Sequence, residues 1–322
     1  MSRRRNILPA YTACIPSALP VTIVLDPFRV DASIATVRRQ FDARVPRFLE
    51  HEALVREIGR RMFERMALMR HEVGCVLDLG CGTGGCRATL TERFPRARYV
   101  GIDLSPRMLG WNAQGTGWLG RAAQRLGVAA SRNSGFVCAS AERLPLADAS
   151  VDLVFSNLAL HWHPAPHEAV REIARVLRSG GLMILSSYGP DTWKELRAAC
   201  LAALPHAAPM PFVDMHDFGD MMVEAGFEAP VMEVEHLQLT FGDARALLAE
   251  ARALGANPRN DRAKGLPSGR MARALLERLN EWKDAQGRLP LHFEIVAGHG
   301  WKAKPRIPGE ATIAMPRPYR GR

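Results

Sequence analysis

Apolar positions change their period several times along the chain. Over residues 31–69, Val37, Phe41 and Val45, then Leu54, Ile58, Met62 and Met66, recur about once per helical turn. This predicts an amphipathic helical lead-in, divided at Pro46, that packs on a sheet face or closes over a site. The β-branched run Val76 to Leu79 then breaks into a glycine cluster and gives way to helix formers between Arg87 and Arg93, reading as strand, tight turn, helix. Further strands are predicted at 98–103, 136–138, 151–156 and 182–187. Between them, Ser105 and Pro106 open one helix, and a second over 168–178 is ended by Gly180 and Gly181.

Past Tyr188 the rhythm turns helical, with predicted helices at 192–204, 217–225, 244–254 and 271–282 and strands at 231–241 and 291–296. Strand and helix in alternation imply right-handed crossovers and a doubly wound α/β fold with a mostly parallel sheet. The late helical tracts, about 190–225 and 244–285, read as a lid or substrate-side insertion. A single domain over 31–301 is expected, between a basic extension, 1–30, and a basic tail, 302–322.

Charge changes this picture little once it is located. Of the net +10, residues 1–30 carry +3 and residues 302–322 carry +5, so the body is nearly neutral and no nucleic-acid groove is indicated. No apolar run reaches the length of a membrane span. The six cysteines form no C-x-x-C pair and no zinc-spaced set with histidine, which fits a reducing cytoplasm and no metal.

The candidate chemistry centres on Gly80, Gly82, Gly84 and Gly85. Glycine suits a backbone that must turn with φ > 0 and let a bound cofactor approach the main chain. The spelling also satisfies the dinucleotide fingerprint, so the glycines alone leave two cofactors open. Asp103, about 20 residues on at a strand end, is placed to accept ribose hydroxyls. Asp78 ends the first strand, where a buried carboxylate needs a positive partner and would repel a pyrophosphate; this favours S-adenosylmethionine over NAD.

The ordered set Asp78 to Gly84, Gly101-Ile102-Asp103, Ala141 to Leu146 with Ser150 to Val154, and Arg175 to Gly181 resembles class I S-adenosylmethionine-dependent methyltransferases. That resemblance implies a Rossmann-like seven-stranded sheet with an antiparallel last strand. It also implies a cofactor site at Asp78, Gly80, Gly82, Gly84, Asp103, Leu104, Ser140, Ala141, Glu142 and Asn157. Over residues 35 to 301, Ser156 to Trp162, Tyr188 to Arg197, Phe212 to Asp217, Leu254 to Asn257 and Gly298 to Lys302 resemble the biotin-pathway malonyl-[acyl-carrier protein] O-methyltransferases. Leu160-His161-Trp162 and the closing Gly-x-x-Trp-Lys are also similar to methyltransferase-like complex I assembly factors that hydroxylate a protein arginine.

The first likeness implies methylation of a malonyl carboxylate on a carrier protein. Tyr188, His161 and Arg197, at or after the ends of the fourth and fifth strands, are the candidate substrate-positioning residues. Arg171, Arg175 and Arg178 are helically spaced and read by default as a solvated helix face, with a basic face for an acidic carrier as the alternative, and His163, His167 and His206 are expected to be exposed. The chain departs from that pattern at Phe48, Leu49 and Val55, where the family often has Tyr, Asp and Gln, and at Ser140, where many class I enzymes have Asp.

Overall fold

A computed structural model describes residues 32–67, 69, 72–114, 134–204, 209–255 and 268–304. The N-terminal extension, the tail past residue 304 and His206 lie outside them. The first described elements are α1 (Ile34–Asp42), α2 (Val45–Glu50) and α3 (Ala53–Met66). The chain continues through β1 (Cys75–Leu79), α4 (Arg87–Arg93), β2 (Arg98–Asp103), α5 (Pro106–Gln114), β3 (Ser134–Cys138) and β4 (Val151–Ser156). A 3-10 turn at Leu160–Trp162 precedes α6 (Pro166–Val176), β5 (Leu177–Tyr188), α7 (Lys194–Ala203) and α8 (Met215–Glu224). The last elements are β6 (Phe227–Phe241), α9 (Ala244–Leu254), α10 (Gly269–Asn280) and β7 (Leu289–Lys302).

The strands form one sheet in the order β3-β2-β1-β4-β5-β7-β6, parallel except for β7, which runs antiparallel to β5 and β6. Alternation along each strand sends side chains to two cores. Val76, Leu153, Leu182 and Ile184 meet α3, α7 and α9 on one face, where Phe63 of α3 stacks on Phe155 at 4.9 Å. Leu77, Val154, Met183 and Leu185 meet Ile173 of α6 and Phe218 and Met222 of α8 on the other. Because the chain steps outward from β1 to β3 and then returns to the far side of β1 as β4, the order reverses there. A crevice opens at the carboxyl ends of these two strands.

Proline and glycine act differently from the sequence pattern at two places. Pro46 does not divide two helices; it sits in the first turn of α2, where its missing N–H costs nothing. Gly180 and Gly181 do not end the preceding helix. That helix stops at Val176 because Leu177 is already extended and pairs with Val151. The glycines then lie inside β5, at a register shift, with Gly180 at φ +76°. Among the described residues, no helix is long and apolar enough to cross a membrane and no group of side chains could hold a metal ion.

Candidate functional site

The crevice is a cavity enclosing about 1230 Å3, open mouth included. Its floor is the turn after β1. Gly80 (φ +74°), Gly82 (φ +50°) and Gly84 (φ +92°) all occupy the left-handed region. Gly80 is further fixed by close approach, since a Cβ there would lie 2.2 Å from that of Ala159. Gly84 faces away from the cavity, where a Cβ would lie 2.4 Å from Asn112 Oδ1. It supports the turn instead of lining the site.

Two carboxylates flank this turn. Asp103 Oδ2 accepts the Gly82 N–H at 2.9 Å and Oδ1 accepts the Ser105 N–H at 2.8 Å. An ionised carboxylate has about four lone-pair sites, and with the Leu104 N–H also directed at it a free site remains for a ligand's hydroxyl. Burial pushes Asp103 up to about 6, opposed by those backbone N–H groups. Asp78 is fully buried, and its Oδ2 accepts the Tyr99 hydroxyl at 2.7 Å. Burial pushes it up to about 7, partly offset by the Tyr99 bond and reinforced by Asp103. Tyr99 thus supplies a partner from within the fold, but a neutral one, and a cationic ligand would relieve what burial opposes.

Leu104, Ser140, Ala141 and Asn157 also line the cavity. The Asn157 amide is engaged in the fold, donating to the Val55 carbonyl at 2.9 Å and accepting from Ser186 at 2.8 Å, which ties α3 to β4 and β5. Glu142 is exposed and does not line the cavity; its carboxylate lies 3.3 Å from His163 Nε2. His163 is buried, not exposed, and burial pushes it down to about 4. Its Nδ1 accepts the Ala165 N–H, so Nε2 carries the proton toward Glu142 and, at 3.4 Å, Ser140. His167 is likewise buried against expectation.

The opposite end is aromatic. Tyr188 lines it with Phe41, Phe48, Trp162 and Leu254. Burial pushes the Tyr188 phenol well up, so it stays protonated. His161 and Arg197, expected beside it, do not line the cavity. His161 is 2% exposed beneath Trp162, Tyr188 and Phe212, with ring centroids 4.3 Å from Tyr188. Its Nδ1 accepts the Tyr188 N–H and burial holds it neutral. Arg197 donates to the Pro209 and Met210 carbonyls, so it braces the strap before Phe212. The alternative of a basic face for a carrier is also largely spent. Arg175 pairs with Glu172 and Asp148, and Arg178, on β5 and not on the helix, pairs with Asp152 at 2.6 Å.

The lead-in helices do both things the pattern allowed. α3 packs on the sheet, while Ile34, Val37 and Phe41 of α1 and Phe48 of α2 roof the cavity. The roof is tied down from several sides. Asp42 accepts from the Ser105 hydroxyl at 2.6 Å, His51 meets Glu250 at 2.5 Å, and Arg44 donates to the Gly255 carbonyl. Glu52 and Arg56 complete the lining beside Thr83. Sequence reasoning missed this pair; the signal was the i, i+4 spacing of opposite charges at a helix start.

This set fits S-adenosylmethionine. Three acidic side chains, Glu52, Asp78 and Asp103, line the glycine-turn end, which suits a ligand with cationic centres and opposes a pyrophosphate. A methyltransferase-domain family model matches residues 77–185. The chain is 38% identical over 276 residues to a malonyl-[acyl-carrier protein] O-methyltransferase of Methylovorus sp. (strain MP688), covering 85% of this chain and 90% of that protein. It is 40% identical over 274 residues to one of Laribacter hongkongensis (strain HLHK9), covering 84% and 90%. Among solved structures it is similar to the YcgJ protein of Bacillus subtilis, with TM-score 0.52 at 19% identity over 77% of this chain and 99% of that one.

Proposed function

We propose, from the premise that this chain belongs to the malonyl-[acyl-carrier protein] O-methyltransferase family, that it methylates the free carboxylate of a malonyl group carried on acyl-carrier protein. The product ester would then serve biotin synthesis in the cytoplasm. The observation that carries this reading is the joining of a glycine turn and its carboxylates to an aromatic wall in one cavity, whose lining histidine, His163, has both ring nitrogens engaged, Nδ1 by the Ala165 N–H and Nε2 toward Glu142. An amine or alcohol acceptor has to lose a proton. A malonyl carboxylate is already ionised at neutral pH, so Phe41, Phe48, Trp162, Tyr188 and Leu254 are a sufficient wall for it.

Bound S-adenosylmethionine supplies a methyl group activated on a sulfonium. Asp103 holds the ribose by its free lone pair, and the turn at Gly80 to Gly82 gives the main-chain approach. Trp162 and Tyr188 exclude water from the reacting carboxylate, and Tyr188, kept protonated, can donate to it and fix its direction. An apolar surrounding favours this transfer, because an anion and a cation become two neutral products. Val37, Phe41 and Phe48 close the roof over it.

The test is transfer of isotopically labelled methyl from S-adenosylmethionine to malonyl-[acyl-carrier protein], with the ester identified by mass spectrometry. Labelled ester supports the reading. Protein that binds the cofactor yet labels neither the carrier nor free malonyl thioesters removes it.

A further inference from the structure

The cavity has a direction. Leu104, Ser140 and Ala141 line it with Asp103, which accepts from the Gly82 N–H, and the next turn residue, Thr83, donates its hydroxyl to Glu52, so consecutive turn residues join the two carboxylates. A cofactor whose ribose lies at Asp103 therefore carries its amino-acid end toward Glu52 and Arg56. Resting on the S-adenosylmethionine reading but not on the identity of the acceptor, we propose that these two residues hold the amino-acid end. Glu52 accepts its ammonium and Arg56 donates to its carboxylate.

The geometry is that of a built pair. Glu52 stands at the N-cap position of α3 but makes no side-chain cap. Its carboxylate turns instead into the cavity, buried, where Oε2 accepts the Thr83 hydroxyl at 3.4 Å. Arg56, one turn on, pairs with the other oxygen, Oε1. An ion pair within one protein chain presents the mirror image of a zwitterion, so each charge meets its opposite when an α-amino acid lies across it. Val55, between Glu52 and Arg56 in the sequence, lines the same wall without a polar side-chain atom to offer. Asp78 is a weaker candidate for the ammonium, because it is already bonded to Tyr99 and pushed up to about 7.

Two ligands separate this role from general damage. S-adenosylhomocysteine carries the amino-acid end; 5′-methylthioadenosine keeps the adenosine and the thioether but lacks it. Calorimetric titration of the full chain should show that Glu52→Gln weakens S-adenosylhomocysteine by about tenfold or more, the usual loss of a hydrogen bond to a charged group, and leaves 5′-methylthioadenosine within about twofold. Arg56→Gln should follow the same pattern by about threefold, since its side chain is 65% exposed and water screens it. Glu52→Asp, which keeps the charge on a shorter arm, should recover part of the loss. Wild-type affinity for S-adenosylhomocysteine in both Gln variants, or equal losses for both ligands, overturns the assignment. A wild-type chain that binds neither ligand would instead refute the cofactor reading itself. Arg56→Gln alters an exposed residue, so it reports even where Glu52→Gln unfolds.

Discussion

At the cofactor end of the cavity, the turn residues Gly80 to Gly82 and the carboxylates Asp78 and Asp103 come from two neighbouring strands, in register from Cys75↔Arg98 to Leu79↔Ile102. At the aromatic end, Phe41, Phe48, Trp162, Tyr188 and Leu254 come from α1, α2, a 3-10 turn, β5 and α9. The first end is local and depends on backbone conformation. The second exists only as a product of tertiary packing, so the two ends should fail differently when altered.

The largest separation is expected from Tyr188→Ala. Removing a ring that is 1% exposed and packed on His161, Trp193 and Phe212 should cost on the order of 3–5 kcal/mol in urea unfolding. S-adenosylhomocysteine affinity of the folded protein should change little; a matching loss there would mean that the ends are one unit. Gly80→Ala should be felt in both readouts: a left-handed alanine pressed on Ala159 costs the fold about 2–4 kcal/mol in urea unfolding, and the displaced turn should also lose cofactor affinity by calorimetry.

Asp103→Asn should weaken the same ligand by about 1.5–3 kcal/mol while leaving the KM for the acceptor unchanged. A shifted acceptor KM would argue against a purely cofactor role. Asp78 sharpens the contrast through pH. Its folded value is raised from 3.8 to about 7, so the free folded protein holds a proton that the unfolded chain gives up. Its contribution to stability therefore falls as pH rises from about 4 to about 7, by at most about 1.4 kcal/mol per pH unit, and is constant above. A cationic ligand favours the ionised form, so affinity should rise over pH 6 to 8 and proton release should accompany binding. Asp78→Asn should flatten both profiles. The smallest effect is expected from Arg197→Met, a loss of about 1 kcal/mol in thermal unfolding with kcat/KM unaltered, because its guanidinium serves the 209–210 strap.

The same contrast explains what could be read without coordinates. Gly80, Gly82 and Asp103 were legible because left-handed turns and strand ends have a local chemical spelling. The strand at 98–103 and the helix at 244–254 were legible because their period is unbroken, and both match the observed bounds. Gly180 and Gly181 misled because a stop signal for a helix is also a register shift in a strand, and pairing of Leu177 with Val151 decides between them. His161 misled because its chain position beside Trp162 and Tyr188 says nothing of which ring faces the cavity and which lies beneath. Glu52 was hidden for a similar reason. Its i, i+4 partner is visible in the sequence, but its approach to Thr83, 31 residues away, is not.

The ties on the roof bear on when the site comes into being. Arg44 and His51 leave the ribosome early, yet their partners Gly255 and Glu250 lie 211 and 199 residues later. At about 5–20 residues per second, the lead-in helices wait on the order of 10–40 s for the segment that fastens them. β7, the central antiparallel strand between β5 and β6, is translated later still. A nascent chain can thus form the glycine turn long before it has a closed chamber. Ribosome-bound intermediates shorter than about residue 250 should present Phe41 and Phe48 to chaperones.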